Sequence, residues 1–281
     1  MAEGGEVIVW ASHGRLLRVP APAVMGILNI TPDSFVAASR QGTMEQALAT
    51  AGRMLEEGAT ILDIGGASTR PGSTAVDEAE ELERVVPVVA QVRRHFPQAV
   101  ISVDTWRASV AAEAVKAGAS LVNDIGAGAL DEAMLETVAG LGVPYILMHM
   151  QGTPRTMQEA PCYGDVLAEV TAFLSSRMQA ARRAGIADVV VDPGFGFGKT
   201  VDHNFSLLRG LPALKQLGVP VLAGLSRKRM INEVLGTTPG EALNGTTVVN
   251  TMALLGGADI LRVHDVRPAV EAVKLVAALG R

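Results

Sequence analysis

Eight short apolar runs recur along the chain, and segments with helical periodicity separate them. The runs are continuous rather than alternating in polarity, which is typical of parallel strands covered on both faces. A glycine precedes six of the runs, at the position where a left-handed residue commonly ends a helix. The predicted strands are 24–30, 60–64, 99–103, 120–122, 144–148, 188–191, 220–225 and 259–263. The glycines are Gly58, Gly118, Gly142, Gly185, Gly218 and Gly257.

Apolar stripes at helical spacing lie between the predicted strands, and the clearest begin at Met44, Met134 and Val166. A capping box from Thr43 to Gln46 is predicted to open the first of these helices. Eight strand–helix alternations in about 250 residues favour a (β/α)8 TIM barrel over a doubly wound sheet. No linker divides the chain, so residues 24–281 are predicted to form one α/β barrel domain. Residues 1–23 are predicted to be an N-terminal extension with a β-hairpin at 7–18.

Composition and charge narrow the possible partners and compartments. The net charge is −5 and no basic tract appears, which argues against a nucleic-acid partner. The single cysteine, Cys162, excludes an intramolecular disulfide and fits a reducing compartment. The N-terminus lacks the pattern of a signal peptide, and no apolar run approaches the length of a membrane span. We therefore expect a cytoplasmic protein without a membrane segment.

Polar residues follow the predicted strands, at the end of a barrel where catalytic residues lie. An Asp or Asn there is often only the N-cap of the next helix, and a lone histidine such as His149 is more often structural. Neither explanation accounts well for polar residues at so many strand ends. The residues at these ends are Asn29, Asp63, Asp104, Asn123, His149, Asp192, Ser226, Arg227, Lys228, Arg262 and His264.

One group of these residues suits a flat heterocycle. Asp104, Asn123 and Asp192 are predicted to present two carboxylates and an amide towards the barrel axis. A carboxylate binds a ring N–H and an adjacent exocyclic amine bidentately. Lys228 can reach a ring nitrogen or carbonyl, and Arg262 can stack its guanidinium on the ring.

A second group is predicted to meet an anion. These residues follow the first, second and eighth strands, which are neighbours around a closed barrel. Few carboxylates surround them, which favours a Mg²⁺ ion held mainly by substrate phosphates and water. The group consists of Asn29, Thr69, Arg70 and His264.

A glycine-rich segment at residues 192–199 directly follows the sixth strand. Its Gly-Lys-Thr ending is similar to that of a phosphate-binding P-loop, but Pro193 occupies the position of the required first glycine. The dinucleotide-binding pattern also fails, because Lys199 replaces its last glycine. We interpret the segment as a ligand loop of another kind.

Together these segments resemble the dihydropteroate synthase family. The resemblance runs from about residue 24 to the C-terminus, with the motifs in family order and at suitable spacing. The motifs are MGILNITPDSF at 25–35, DIGGASTRPG at 63–72, SVDT at 102–105, NDI at 123–125, MHMQGTP at 148–154, DPGFGFGK at 192–199, SRK at 226–228 and RVHD at 262–265.

The resemblance implies a Mg²⁺-dependent, homodimeric transferase of folate biosynthesis. It would join 6-hydroxymethyl-7,8-dihydropterin diphosphate to 4-aminobenzoate, giving 7,8-dihydropteroate and pyrophosphate. Early loss of pyrophosphate would leave a cation delocalised into the dihydropterin ring. Loops around 31–42 and 67–75 would close over this cation to exclude water.

The resemblance also implies a role for each site residue. The pterin would contact Asp104, Asn123, Asp192 and Lys228, with Arg262 stacked on it. The diphosphate would contact Asn29, Thr69, Arg70 and His264, with Mg²⁺ at Asn29. The aminobenzoate, and the sulfonamides that replace it in this family, would contact Phe35, Thr69, Phe197 and Ser226. The catalytic residues would be Asn29, Arg70, Lys228 and His264.

Two loops depart from the family pattern. Residues 36–40 read Val-Ala-Ala-Ser-Arg where many members have Ser-Asp-Gly-Gly, and Ala67 replaces a common glutamate. We expect these changes to affect aminobenzoate affinity and sulfonamide sensitivity more than the reaction. Three other functions remain open: a pterin domain that passes a methyl group from a folate to a corrinoid, a Schiff-base aldolase using Lys228, and a non-catalytic pterin-binding paralogue.

Overall fold

The computed structural model of the protein describes residues 6–30, 40–67, 76–153, 156–157 and 159–280, except for the side chains of 40–43. Three predicted site residues, Phe35, Thr69 and Arg70, therefore lie outside the described residues. The two loops predicted to close over the site, around residues 31–42 and 67–75, also lie almost entirely outside the described residues.

An antiparallel hairpin precedes the barrel, as predicted. It consists of β1 (Val7–Ser12) and β2 (Arg15–Pro20). His13 and Gly14 join the strands with φ of 51° and 69°, the positive values that a two-residue type I′ turn requires.

The hairpin closes the amino-terminal end of the barrel. Trp10 and Val19 are buried there against the apolar side chains that begin the barrel strands. The Ser12 hydroxyl donates to Ser120 O at 2.8 Å, and His13 Nε2 contacts Ala119 O at 2.8 Å. His13 therefore has a structural role at the end of the barrel away from the polar strand ends.

Eight parallel strands form the barrel, which confirms the predicted TIM-barrel fold. Seven pairs follow from strand-to-strand ladders, and a bridge between Val191 and Val221 closes the ring. Each strand falls within or next to a predicted run. The strands are β3 (Ala23–Asn29), β4 (Ile61–Gly65), β5 (Val100–Asp104), β6 (Leu121–Asp124), β7 (Tyr145–Met148), β8 (Val189–Asp192), β9 (Leu222–Ala223) and β10 (Ile260–Val263).

Helices cover the outside of the barrel. All six glycines predicted to end a helix have a positive φ, between 62° and 119°. The predicted capping box was wrong, because α1 begins at Arg40, before Thr43. The first turn of α1 is polar, so no apolar stripe in the sequence reveals where the helix begins. The helices are α1 (Arg40–Glu56), α2 (Glu78–His95), α3 (Ala108–Lys116), α4 (Met134–Leu141), α5 (Val166–Ala184), α6 (Val201–Arg209), α7 (Leu211–Leu214), α8 (Arg229–Leu235), α9 (Leu243–Leu255) and α10 (Val266–Ala277).

The barrel interior changes character along its axis. Towards the amino-terminal end, inward side chains such as Met25, Ile61 and Leu121 form an apolar layer with the hairpin. Two residues further along the strands, inward positions carry Asp63 and Asn123 instead. Buried polar groups are costly unless they are bonded. The inward polar groups therefore lie towards the carboxyl end of the barrel.

Candidate active site

A pocket of about 570 Å³ opens at the carboxyl end of the barrel. Most of the predicted site residues that the structure describes line it, although they come from distant parts of the chain. Asn123 and Asp192 lie deeper, each 5% exposed. The predicted residues that line the pocket are Asn29, Asp104, Phe197, Ser226, Lys228, Arg262 and His264.

The guanidinium of Arg262, on the last barrel strand, bridges two carboxylates across the pocket floor. Its Nε donates to Asp63 Oδ2 at 2.6 Å, and its Nη2 donates to Asp104 Oδ2 at 2.6 Å. Burial alone lowers the pKa of Arg262, but the two carboxylates outweigh it and raise that pKa above its usual range. Arg262 is therefore a fixed cation whose plane is set by two anions.

Burial also changes the acidity of the two predicted pterin-binding carboxyls. It raises the pKa of Asp104 to about 7, although the Arg262 cation opposes the change. It also raises the pKa of Asp192, against the hydrogen bond from Gly194 N at 2.7 Å and the cations of Lys228 and Arg262. Both groups thus depend on nearby cations to remain ionised.

Asp63 is a site residue whose role sequence reasoning missed, although its strand end was recognised. Its side chain is fully buried, and its Oδ2 accepts from Arg262 and from Asn123 Nδ2, the latter at 3.1 Å. Its Oδ1 has no hydrogen-bond partner among the described residues. Asp63 therefore orients two predicted pterin ligands at once. Its inward position follows from the parallel register, in which Asp63 pairs with Ile27 and Ser102.

Ser226 and His264, which follow β9 and β10, form a linked pair in the pocket lining. Ser226 Oγ lies 3.0 Å from His264 Nδ1 and accepts from His264 N at 3.2 Å. The neighbouring Arg227 has a φ of 58° and donates twice to the Asp265 carboxylate, at 3.0 and 2.7 Å. This ion pair fixes the turn between Ser226 and Lys228, both of which line the pocket.

The glycine-rich loop at residues 192–199 forms one wall of the pocket, but Lys199 does not line the pocket as the lysine of a P-loop would. Lys199 is 3% exposed, and its ammonium group contacts backbone carbonyls and His149. Phe197 lines the pocket instead, with Lys228 Nζ 4.3 Å from the centre of its ring. His149 is buried outside the pocket lining, in agreement with its predicted structural role.

Comparison with known proteins identifies the family. Residues 25–264 match the family described as "Pterin binding enzyme". The chain is 45% identical over 269 residues to the dihydropteroate synthase of Escherichia coli K12, covering 95% of each chain. It belongs to the dihydropteroate synthase family.

Solved structures of dihydropteroate synthases have the same fold. The Yersinia pestis enzyme, in complex with a sulfonamide drug, superposes with a TM-score of 0.89 at 44% identity, covering 97% of this chain and 98% of that one. The Xanthomonas albilineans enzyme with 4-aminobenzoic acid gives a TM-score of 0.88 at 46% identity and the same coverage. The fold and family implied by the sequence motifs are thereby confirmed.

The described residues also bear on metal binding and on membrane insertion. Among the described residues, no three His, Cys, Asp or Glu side chains cluster as a metal site. The helices in the described ranges are all too short or too polar to cross a bilayer. Asn29, the predicted contact for Mg²⁺, ends β3 with an exposed side chain that lines the pocket.

Proposed function

We propose that the protein is a dihydropteroate synthase that condenses 6-hydroxymethyl-7,8-dihydropterin diphosphate with 4-aminobenzoate. The observation that carries the proposal is the meeting of the family's motif residues in one pocket at the carboxyl end of the barrel. Membership of the family over nearly the whole chain supports the same reaction.

The pterin occupies the deep, charged part of the pocket. The carboxylates of Asp104 and Asp192 accept from N–H groups on the pterin edge, and Asn123 supplies an amide that Asp63 holds in place. Arg262 stacks on the ring, because its two ion pairs fix the plane of the guanidinium. Lys228 donates to a pterin acceptor. These contacts orient the reactive methylene carbon towards the open part of the pocket.

The diphosphate lies towards Asn29 and His264; the family resemblance implies that Arg70, which lies outside the described residues, contacts it as well. The bond between the methylene carbon and the diphosphate oxygen breaks first, and its electron pair leaves with pyrophosphate. Donors and cations around the diphosphate stabilise the charge that develops on it. The cation left on carbon is delocalised into the electron-rich dihydropterin ring. The aminobenzoate nitrogen then forms the new C–N bond and loses a proton to solvent.

A Mg²⁺ ion suits the donor set at this position. Asn29 offers a hard amide oxygen, and no three His, Cys, Asp or Glu side chains among the described residues are placed to enclose the ion. The diphosphate and water would therefore supply most of its ligands. When bound, the ion neutralises part of the charge on the leaving group.

The aminobenzoate packs between Phe197 and Ser226; the family resemblance implies that Phe35 and Thr69, which lie outside the described residues, contact it as well. An arylamine is a weak base and is neutral at pH 7, so the protein needs to position its nitrogen rather than activate it. Sulfonamides would occupy the same subsite. The changed loop at residues 36–40 and Ala67 adjust affinity here while leaving the pterin ligands intact.

A pyrophosphate-release assay with both substrates tests the proposed function. We expect release that needs both substrates and increases with Mg²⁺, and Asp192→Ala should abolish both pterin binding and release. Asp202→Ala, at an exposed position on α6, is the matched control and should behave like the unchanged protein.

Three further measurements separate the rival functions. Pterin binding without pyrophosphate release would indicate a non-catalytic paralogue and would overturn the proposal. Methyl transfer from a folate to a corrinoid would indicate the methyltransferase domain. Trapping of a carbonyl substrate on Lys228 by borohydride would indicate the aldolase.

We also propose that the protein is a homodimer in the cytoplasm, where the exposed Cys162 stays reduced. The dimer would form through the α8–α9 surface, defined here as Val234, Leu235, Val248, Met252 and Leu255. These large apolar side chains are between 45% and 62% exposed. Contiguous exposed apolar residues are typical of interfaces between proteins.

A further inference from the structure

Lys199 is a buried cation that the proposed reaction does not use. Its ammonium group lies 2.9 Å from Gly194 O, 3.0 Å from Phe197 O and 2.9 Å from His149 Nδ1. An ammonium group has three protons, so these three contacts account for all of them. Burying a lysine is costly unless such bonds compensate for its lost hydration.

The loop that Lys199 spans has a backbone conformation that depends on glycines. Gly194 and Gly198 have φ of 67° and 63°. A Cβ at Gly194 would lie 1.9 Å from His149 O, and one at Gly198 would lie 2.4 Å from Gln151 O. The loop backbone therefore packs directly on the segment after β7. Glycines permit this close packing but do not hold it, because they also permit many other conformations.

The same loop carries groups that border both proposed substrate subsites. Phe197 faces Lys228 at 4.3 Å, and a Cβ at Gly196 would lie 3.1 Å from Lys228 Cδ. Gly194 N donates to Asp192 Oδ1 at 2.7 Å. A shift of the loop would therefore move the aminobenzoate wall, the Lys228 side chain and one hydrogen bond to Asp192 together.

We propose that Lys199 is a positioning residue that fixes the 194–198 loop, and through it Phe197 and Lys228, without touching either substrate. The proposal rests on the function proposed above. Its amine crosses the inside of the loop from Gly194 to Phe197 and ties both to His149 on the neighbouring segment. The lysine thus supplies hydrogen bonds that a regular element would supply, beside the bonds from Gly196 N to Asn204 Oδ1 at 2.7 Å and from the Tyr163 hydroxyl to Gly198 O at 2.8 Å.

The charge of Lys199 also acts on the site. Burial lowers the pKa of Lys199 to about 7, while the nearby Asp192 carboxylate opposes this change. The pKa of Asp192 is raised by burial, and the Lys199 cation is one of the nearby charges that oppose this rise. The loop cation therefore helps to keep a pterin ligand ionised in addition to shaping the wall.

Steady-state kinetics of Lys199→Met and Lys199→Arg test the proposal. Methionine keeps the length of the side chain but removes its donors, so we expect the KM of both substrates to rise about tenfold, as for a lost charged hydrogen bond. The kcat should fall less, because no group that contacts the reacting atoms is lost. Arginine keeps a cation with several donors and should restore part of the affinity. Lys116→Met, on an exposed side chain of α3, is the control.

A double-mutant cycle with Phe197→Ala distinguishes positioning from a general loss of stability. If Lys199 acts through Phe197, the two effects on the aminobenzoate KM will be less than additive. Purely additive effects, or unchanged KM values in a folded Lys199→Met protein, would overturn the proposal.

Two additions keep the test decisive. His149→Leu removes one of the three acceptors; we expect a rise in KM of about threefold, and no rise in this variant would also count against the proposal. Direct titration with the pterin diphosphate compares the variants without any turnover. If the unchanged protein released no pyrophosphate, the proposed function would fail, while this titration would still decide the role of Lys199.

Discussion

At the scale of single residues, the pocket floor is governed by one guanidinium among three carboxylates. Arg262 bonds to Asp63 and Asp104, and its charge opposes the rise in the pKa of Asp192 that burial causes. Charges interact strongly where little water screens them, so removing the Arg262 cation affects every carboxylate nearby. The ionisation of Asp104 and Asp192 therefore depends on Arg262, whose guanidinium is itself held by Asp63 and Asp104.

Replacing Arg262 should shift the pH dependence of pterin binding. A carboxylate binds the pterin N–H groups in its ionised form, so affinity in the unchanged protein should fall below about pH 7, where Asp104 becomes protonated. Loss of a nearby cation disfavours the ionised form and raises the pKa of Asp104 and Asp192. In Arg262→Gln the pH at which half the maximal affinity is reached should therefore move upwards. Fluorescence titration of the pterin from about pH 5 to about pH 9 measures it.

The control for this experiment is Arg53→Gln, which removes an exposed arginine on α1. It should leave the midpoint where it is in the unchanged protein. Arg262→Gln should also weaken binding at every pH, because the stacked guanidinium is lost. A weaker affinity with an unchanged midpoint would show that Arg262 does not set the ionisation of the carboxyls.

At the scale of elements, most of the barrel could be predicted from local patterns. Strand runs and helix-ending glycines are properties of neighbouring residues, and they located every barrel strand. β9 is shorter than predicted, with Leu222 and Ala223 in place of residues 220–225. Pro220 has no N–H to donate, and by Arg227 the chain has turned to a positive φ. Hydrophobicity alone does not report either effect.

The site was predicted as a set of residues but not as a network. Strand ends identified Asp63, Asp104 and Arg262, because a barrel brings these ends together. The bonds between them join positions up to 199 residues apart in the sequence. Only the register around the barrel decides which side chains meet, and a single sequence does not contain it. The same limit applies to Lys199, whose acceptors are mostly backbone carbonyls.

A buried ion pair between α2 and the start of α3 is a further example. Glu81 is fully buried and contacts Arg107 Nη1, while Arg107 Nη2 donates to Val76 O at 2.6 Å. Burial raises the pKa of Glu81, and the Thr105 side chain and the Arg107 cation oppose this. The pair thus joins α2, the end of β5 and the chain before α2.

Breaking this pair from one side should be costly. Arg107→Met leaves the buried Glu81 without its cation, and losses of about 3–5 kcal/mol are typical for such a change. Urea unfolding measures the free energy directly. Adding Glu81→Gln removes the uncompensated charge and should restore part of the stability. Arg182→Met, at an exposed position on α5, is the control and should change little. A double variant no more stable than Arg107→Met would contradict the assigned role of the pair.

At the scale of the whole molecule, the three regions of the barrel surface differ in what they leave exposed. The hairpin seals the amino-terminal end, and the pocket occupies the carboxyl end. On the side of the barrel, α8 and α9 pack closely against each other. A Cβ added at Gly245 on α9 would lie only 2.3 Å from Ile231 Cγ2 on α8. The exposed apolar side chains of the α8–α9 surface lie on these two packed helices. Val248, Met252 and Leu255 follow one another on α9 at helical spacing.

The proposed homodimer predicts that charges on the α8–α9 surface separate the subunits. Two lysines in Val248→Lys/Met252→Lys would be buried without partners in the interface, at a cost that an apolar contact does not offset. In the monomer both positions face water, so the barrel should stay folded. Sedimentation should give twice the chain mass of 29.3 kDa for the unchanged protein and the single mass for the double variant. Leu16→Lys, equally apolar to charged but on β2 and 68% exposed, should remain a dimer. A monomeric unchanged protein, or a double variant that still sediments as a dimer, would mean that this surface does not join two copies.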